Sequence, residues 1–116
     1  MAKILLTDVK AGGLVSQVRD ETVKFWHNGE ECSVDIRIKQ LPFFETEALL
    51  KRMHDGESVA SDWISKALVD DKGEVMFTKK QVENSFVQTL ASATFDKVWD
   101  TDNIKKAMQA KSKKAS

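Results

Sequence analysis

A chain of 116 residues with 18 basic and 18 acidic side chains has no formal net charge, so it lacks the basic excess by which a dedicated nucleic-acid binder neutralises phosphates. A single cysteine, Cys32, excludes an internal disulfide, and no apolar run approaches the ~20 residues of a membrane-spanning helix. One proline and five glycines leave no room for a flexible interdomain linker, and the length is that of one domain, expected over residues 1–110.

Residues 1–21 give no clear element. The stretch KILLTDVKAGGLVSQVRDE offers apolar positions but breaks at Gly12-Gly13. Its Lys3-Ile4-Leu5-Leu6 run is too short for a signal-peptide core, and Asp8 and Lys10 interrupt it. The next stretch, TVKFWHNGEECSVDIRIKQ, predicts a β-hairpin over about residues 22–39. Asn28-Gly29 is the strongest short hairpin signal, because a type I′ turn needs positive φ at both central residues. Beyond it Cys32, Val34, Ile36 and Ile38 alternate with Ser33, Asp35, Arg37 and Lys39, which gives one apolar and one charged face. On the incoming strand Val23 and Phe25 take the apolar side, and Lys24 and Trp26 the solvent side. Two strands alone are marginally stable, so the hairpin must pack on something else.

That partner is helical. Pro42 opens a first helix, with Phe44, Ala48, Leu49 and Met53 as its buried stripe, and Asp55-Gly56 ends it. Ser58 or Ser61 caps a second, carrying Val59, Ala60, Trp63, Ile64, Ala67 and Leu68. The acidic stretch that follows looks at first like half of a calcium loop. With Gly73 at loop position 6, however, Leu68 and Lys79 fall at positions 1 and 12, where Asp and Glu are required. Only Asp70 and Glu74 remain at plausible ligand positions, so Asp70-Asp71-Lys72-Gly73 reads as a turn and no metal site is expected. Glu74 to Phe77 is short and extended, and Thr78 with Gln81 forms a capping box. A third helix then places Val82, Phe86, Val87 and Leu90 on one side. A fourth begins near Thr94 with Phe95, Val98 and Trp99, and Asp100-Thr101-Asp102 interrupts it before Ile104, Ala107 and Met108. Residues 111–116 are basic, without a large apolar side chain, and are expected to be disordered. The class is α+β: one N-terminal hairpin, then three or four short helices.

Catalytic chemistry is thin. His27 abuts the hairpin turn, His54 closes a helix, and Cys32 falls on the apolar face of a strand; each reads as structural. There is no HxxxH, CxxC or GxSxG pattern and no phosphate-cradling glycine loop, so no catalytic residue and no cofactor are expected. The aromatic residues say more. Three tryptophans and six phenylalanines are a heavy apolar payload for a small chain. Phe25, Phe44, Trp63, Phe86 and Phe95 are assigned to the core. Trp26, Phe43, Trp99 and Met108 are the candidates for partner binding, with the core favoured for Trp99.

The order of these pieces carries a resemblance. CSVDIRIKQL runs into PFFETEALLKRM, then WISKALVDDKGEVMFTKKQV, then FDKVWDTDNIKKAM and a lysine-rich end. Over about residues 22–110 the chain resembles the tail assembly chaperones of long-tailed bacteriophages. Its ALVDDKGEVMFTKKQV is similar to that family's Val-Asp-Asp/Glu-x-Gly-x-x-x-Phe-Thr segment. The resemblance implies a non-enzymatic factor that coats and solubilises the tape measure protein and recruits the tail tube protein; coating a rod calls for repeated head-to-tail contacts, so self-association is expected. It further implies action in the host bacterial cytoplasm and absence from the mature virion. Many members are made in two lengths by ribosomal frameshifting, and Lys113-Lys114 suits a slip site. Two other classes compete. One is a small nucleic-acid-binding regulator using the helices after Thr78, against which stand the charge balance and the presence of only three arginines, Arg19, Arg37 and Arg52. The other is a virion structural or connector component.

Overall fold

Asn28 and Gly29 take φ of 53° and 79°, the paired positive values of a two-residue type I′ turn. They join β1 (Val18–His27) to β2 (Glu30–Lys39) in an antiparallel hairpin, where Val23 pairs with Val34 and Phe25 with Cys32. The computed structural model describes residues 3–15 and 17–100. The hairpin starts earlier than the apolar alternation indicates. Its first rungs carry charge: Arg19 Nη2 donates to the Lys97 carbonyl at 2.7 Å, and Arg37 Nε meets Asp20 at 2.9 Å. Side-chain partners, rather than an apolar face, support that extension. Ahead of it α1 (Leu6–Lys10) is a short helix that buries none of its residues.

Four helices follow: α2 (Phe43–His54), α3 (Ala60–Ala67), α4 (Lys79–Ser85) and α5 (Gln88–Val98). With the hairpin they make the α+β arrangement that the sequence predicts. The core between sheet and helices is built on Ile38, Leu49, Trp63, Ile64, Val82 and Val98. Along α3 the expected stripe of Trp63, Ile64, Ala67 and Leu68 is buried. Along α2 the expected stripe is only half right. Leu49 is buried, with Leu50 and Met53 packed beside it, but Phe44 is 72% exposed and Ala48 is exposed as well. Five residues of helix rotate Phe44 about 140° away from Leu49, so the true inward face runs through Leu49, Leu50 and Met53.

Asp62 in the first turn of α3 meets Arg52 Nη1 of α2 at 2.8 Å and Lys79 Nζ of α4 at 3.8 Å. Its hydrogen bond holds the Arg52 guanidinium above its ordinary pKa. Solvent screens pairs as open as these, so Asp62 orients three helices more than it stabilises them.

After α3 the chain returns to the sheet. Leu68 bridges Ile38, and the Val69 N–H donates to the Arg37 carbonyl at 3.0 Å, covering part of the free edge of β2. The acidic stretch is the turn that the ligand count indicates. Asp70 Oδ1 accepts the N–H groups of Lys72 and Glu74 at 2.8 and 3.0 Å, while Gly73 sits at φ 81°. That carboxylate is therefore committed to the backbone. The capping box is also present: Thr78 Oγ1 accepts from the Gln81 N–H at 3.1 Å, and Gln81 Oε1 from the Thr78 N–H at 2.9 Å. Thr78→Ala is expected to cost about 1 kcal/mol, read as a lower urea midpoint at unchanged slope. An unshifted midpoint would show that α4 does not depend on its cap.

The helices expected from Thr78 and near Thr94 are divided differently. Phe86 (φ −89°, ψ 131°) and Val87 (φ −79°, ψ 160°) are extended, which breaks the chain between α4 and α5. Neither glycine nor proline marks that break. Phe86 instead packs edge-on against Phe77, with centroids 5.4 Å apart. Thr94 lies inside α5, fully buried, rather than at a helix start. Helix α5 is tied to β1 at both ends, by Thr89 Oγ1 donating to the Trp26 carbonyl at 2.7 Å and by Arg19 donating to the Lys97 carbonyl. Met108 and the basic residues 111–116 lie outside the described residues.

Candidate functional site

The reactive side chains do not converge. His27 is exposed at the end of β1, His54 is the last residue of α2, and Cys32 is half-buried with its thiol 3.7 Å from the Glu30 carbonyl. Among the described residues no three His, Cys, Asp or Glu side chains stand close enough together to hold a metal ion. Nor, among the same residues, is any helix long and apolar enough to cross a membrane. What the surface offers is apolar area.

Trp26 alternates with the buried Val23 and half-buried Phe25, so it points away from the helices and is 61% exposed. Phe43, the first residue of α2, is 70% exposed and stands beside the equally open Phe44. These two sites do not form one patch. Trp26 pairs with Glu31, and the eight residues from there to Lys39 extend about 27 Å before the chain leads into Phe43. Trp99 follows the last turn of α5, half-buried, its ring 6.2 Å from Trp63 and 5.8 Å from Phe95. It lines a recess of about 180 Å³ with Arg19, Leu50 and Val98.

A larger groove, of about 840 Å³, runs between the hairpin and the corner where α4 turns into α5. Its apolar lining includes Val34, Ile36, Met76, Phe77, Phe86 and Leu90. The period of two along β2 sends Val34 and Ile36 to the helix side, and the extended Phe86-Val87 step brings Leu90 alongside Phe77 and Phe86. Four carboxylates, those of Asp20, Glu21, Asp35 and Asp71, line it too. Arg37 is the only cation among the lining residues, and it is already paired with Asp20. Thr94 also lines the groove, and its buried hydroxyl has no hydrogen-bond partner among the described residues. Sequence reasoning did not find this feature. Its walls come from four separated stretches, within 20–22, 34–37, 68–77 and 85–94, and Val34, Ile36 and Phe86 each read locally as ordinary core positions.

Comparison with known proteins adds one finding. The family model described as "Phage tail assembly chaperone, TAC" matches residues 8–102. No curated protein and no solved structure matches the chain. The match takes in the hairpin, the bridged turn after α3, the capped helix α4 and all of α5, and on that coverage the chain belongs to the phage tail assembly chaperones.

Proposed function

We propose that this chaperone works without catalysis in the cytoplasm of the infected bacterium and is left out of the finished virion. It covers the tape measure protein, keeps that long helical polypeptide soluble and brings the tail tube protein to it, with copies associating along the client. The observation that carries this reading is the exposure of Trp26 and Phe43 at opposite ends of the hairpin. An exposed tryptophan supplies a large share of interface energy when a partner covers it, and Phe43 stands beside a second exposed ring, Phe44. Anchor points at the two ends of a hairpin suit an extended client and do not suit a small molecule. Zero net charge lowers the repulsion between neighbouring copies. The acid-lined groove speaks against nucleic acid as the partner.

Co-expression with the tape measure protein tests this. The client is expected in the soluble fraction with the wild-type chaperone and in the pellet with Trp26→Ser/Phe43→Ser, whose exposed positions leave the fold intact. Equal partitioning with both would sink the assignment of these two residues. Detection of this chain in purified virions would sink its proposed absence from the finished particle.

A further inference from the structure

We infer that the groove takes the N-terminal arm of a second copy of this chain, Ile4 to Val15, in a head-to-tail contact; the inference rests on the self-association proposed above. The arm is apolar and uncovered. Ile4, Leu5, Leu6, Val9, Leu14 and Val15 are all exposed, Leu6 at 85%, and α1 buries nothing. Leu6 and Val9 follow the three-residue spacing that puts side chains on one face of α1, and Leu5 stands at its N-cap. A face of that kind is stable in water only when it docks against another apolar surface.

The groove is the matching surface. It is open, its floor is aliphatic and aromatic, and none of its lining residues comes from the arm of the same chain. The charges also match. Lys3, just ahead of the arm, and Lys10 within it flank Ile4 to Val9, against one carboxylate, Asp8. Around the groove Asp20 is paired with Arg37 and Glu21 with Arg19, which leaves the carboxylates of Asp35 and Asp71 without an ion pair among the described residues. A basic-flanked apolar helix laid in an acid-lined apolar groove is the helix-in-groove mode of recognition, with lysines meeting carboxylates at the rim.

In the structure the arm of one chain lies outside that chain's own groove, which leaves the groove open to the arm of another copy. The Gln17 carbonyl accepts from the Gln40 N–H at 2.7 Å, which fixes the arm's root at the open end of the hairpin. At Gly12, φ 82°, the chain doubles back, and Gly13 closes on the Asp8 carbonyl at 3.0 Å. A Cβ at Gly13 would come within 3.1 Å of that carbonyl, so the doubling-back is tightly packed. Arm and groove are different surfaces of one molecule, so each copy offers both, and the interface is heterologous. Contacts of that type run on into open filaments or spirals unless they close into a ring.

Sedimentation of the full chain over a range of concentrations tests the inference. Wild type is expected to form a concentration-dependent ladder of species. Leu6→Glu in the arm and Val34→Glu in the groove are each expected to weaken association at least tenfold with unchanged circular dichroism. Met76→Glu, on an exposed groove residue, serves as the second groove variant if Val34→Glu misfolds. The decisive arm mixes the two single variants. One keeps its groove and the other its arm, so a 1:1 dimer is expected to form and to grow no further. A wild-type chain that stays monomeric would overturn the inference and point to the arm folding into its own groove. So would wild-type association by Leu6→Glu, or a mixture that fails to pair. Solubilisation of the tape measure protein is scored on the same variants. If it survives in a chain whose arm variant associates normally, the groove assignment fails alone. If it is absent while the ladder forms, the client reading fails alone.

Discussion

Trp63→Ala is expected to cost about 3–5 kcal/mol, a large share of the 5–15 kcal/mol that holds a typical domain folded. Trp63 is 3% exposed on the inward side of α3. Its ring stands edge-on to Phe95, centroids 5.6 Å apart at 75°, and Trp99 lies on it at 6.2 Å. Removal of the indole therefore opens a cavity where α3 meets α5 and also forfeits two aromatic pairs, each about 0.5–1.5 kcal/mol beyond area burial. Urea unfolding followed by circular dichroism reads the loss as a lower midpoint. Trp63→Phe should lose far less, because a smaller ring keeps the edge contact with Phe95. Equal midpoints for Trp63→Ala and wild type would mean that the aromatic cluster does not hold these helices together.

The second large effect is expected at Ile38, where alanine should cost about 2–5 kcal/mol and valine about 0.5–1.5. Ile38 is 1% exposed and bridges Leu68, so it is the point at which β2 enters the helical core. A two-stranded hairpin has little stability of its own. The expected result is one transition in which strand and helix signals fall together at a lower urea concentration. A variant that loses its hairpin first and its helices in a separate later step would show the two layers to be energetically independent.

The features that the sequence made legible are those encoded in a few adjacent residues. The Asn28-Gly29 turn, the period of two in β2, the Asp70–Gly73 turn and the Thr78–Gln81 capping box each need only local chemistry, and each is present. Where several local readings compete, the pattern chose less well. On α2 both the 44/48 pair and the 49/50/53 set fit a helical period, and only packing against the hairpin and α3 selects the second. The break at Phe86-Val87 carries no glycine or proline, because an aromatic contact with Phe77 imposes it. The charged start of β1 gives no clear element in the sequence, because its support comes from Arg19 meeting the end of α5, 78 residues away. The groove was invisible for the same reason: its walls meet only in the folded chain. The outward direction of Trp26 was legible from alternation alone, whereas Phe44 was placed on the wrong side of its helix.

The Thr89 hydroxyl grips the main chain at Trp26 while the indole itself stands in solvent. A ring mounted on an immobilised peptide has already given up most of its freedom before any encounter. Under the proposed function, docking of a helical client on this ring would freeze little more than two side-chain torsions, about 0.5–1.5 kcal/mol, with no loop left to be ordered. Cutting that tether should slacken the grip on a client while the indole remains in place.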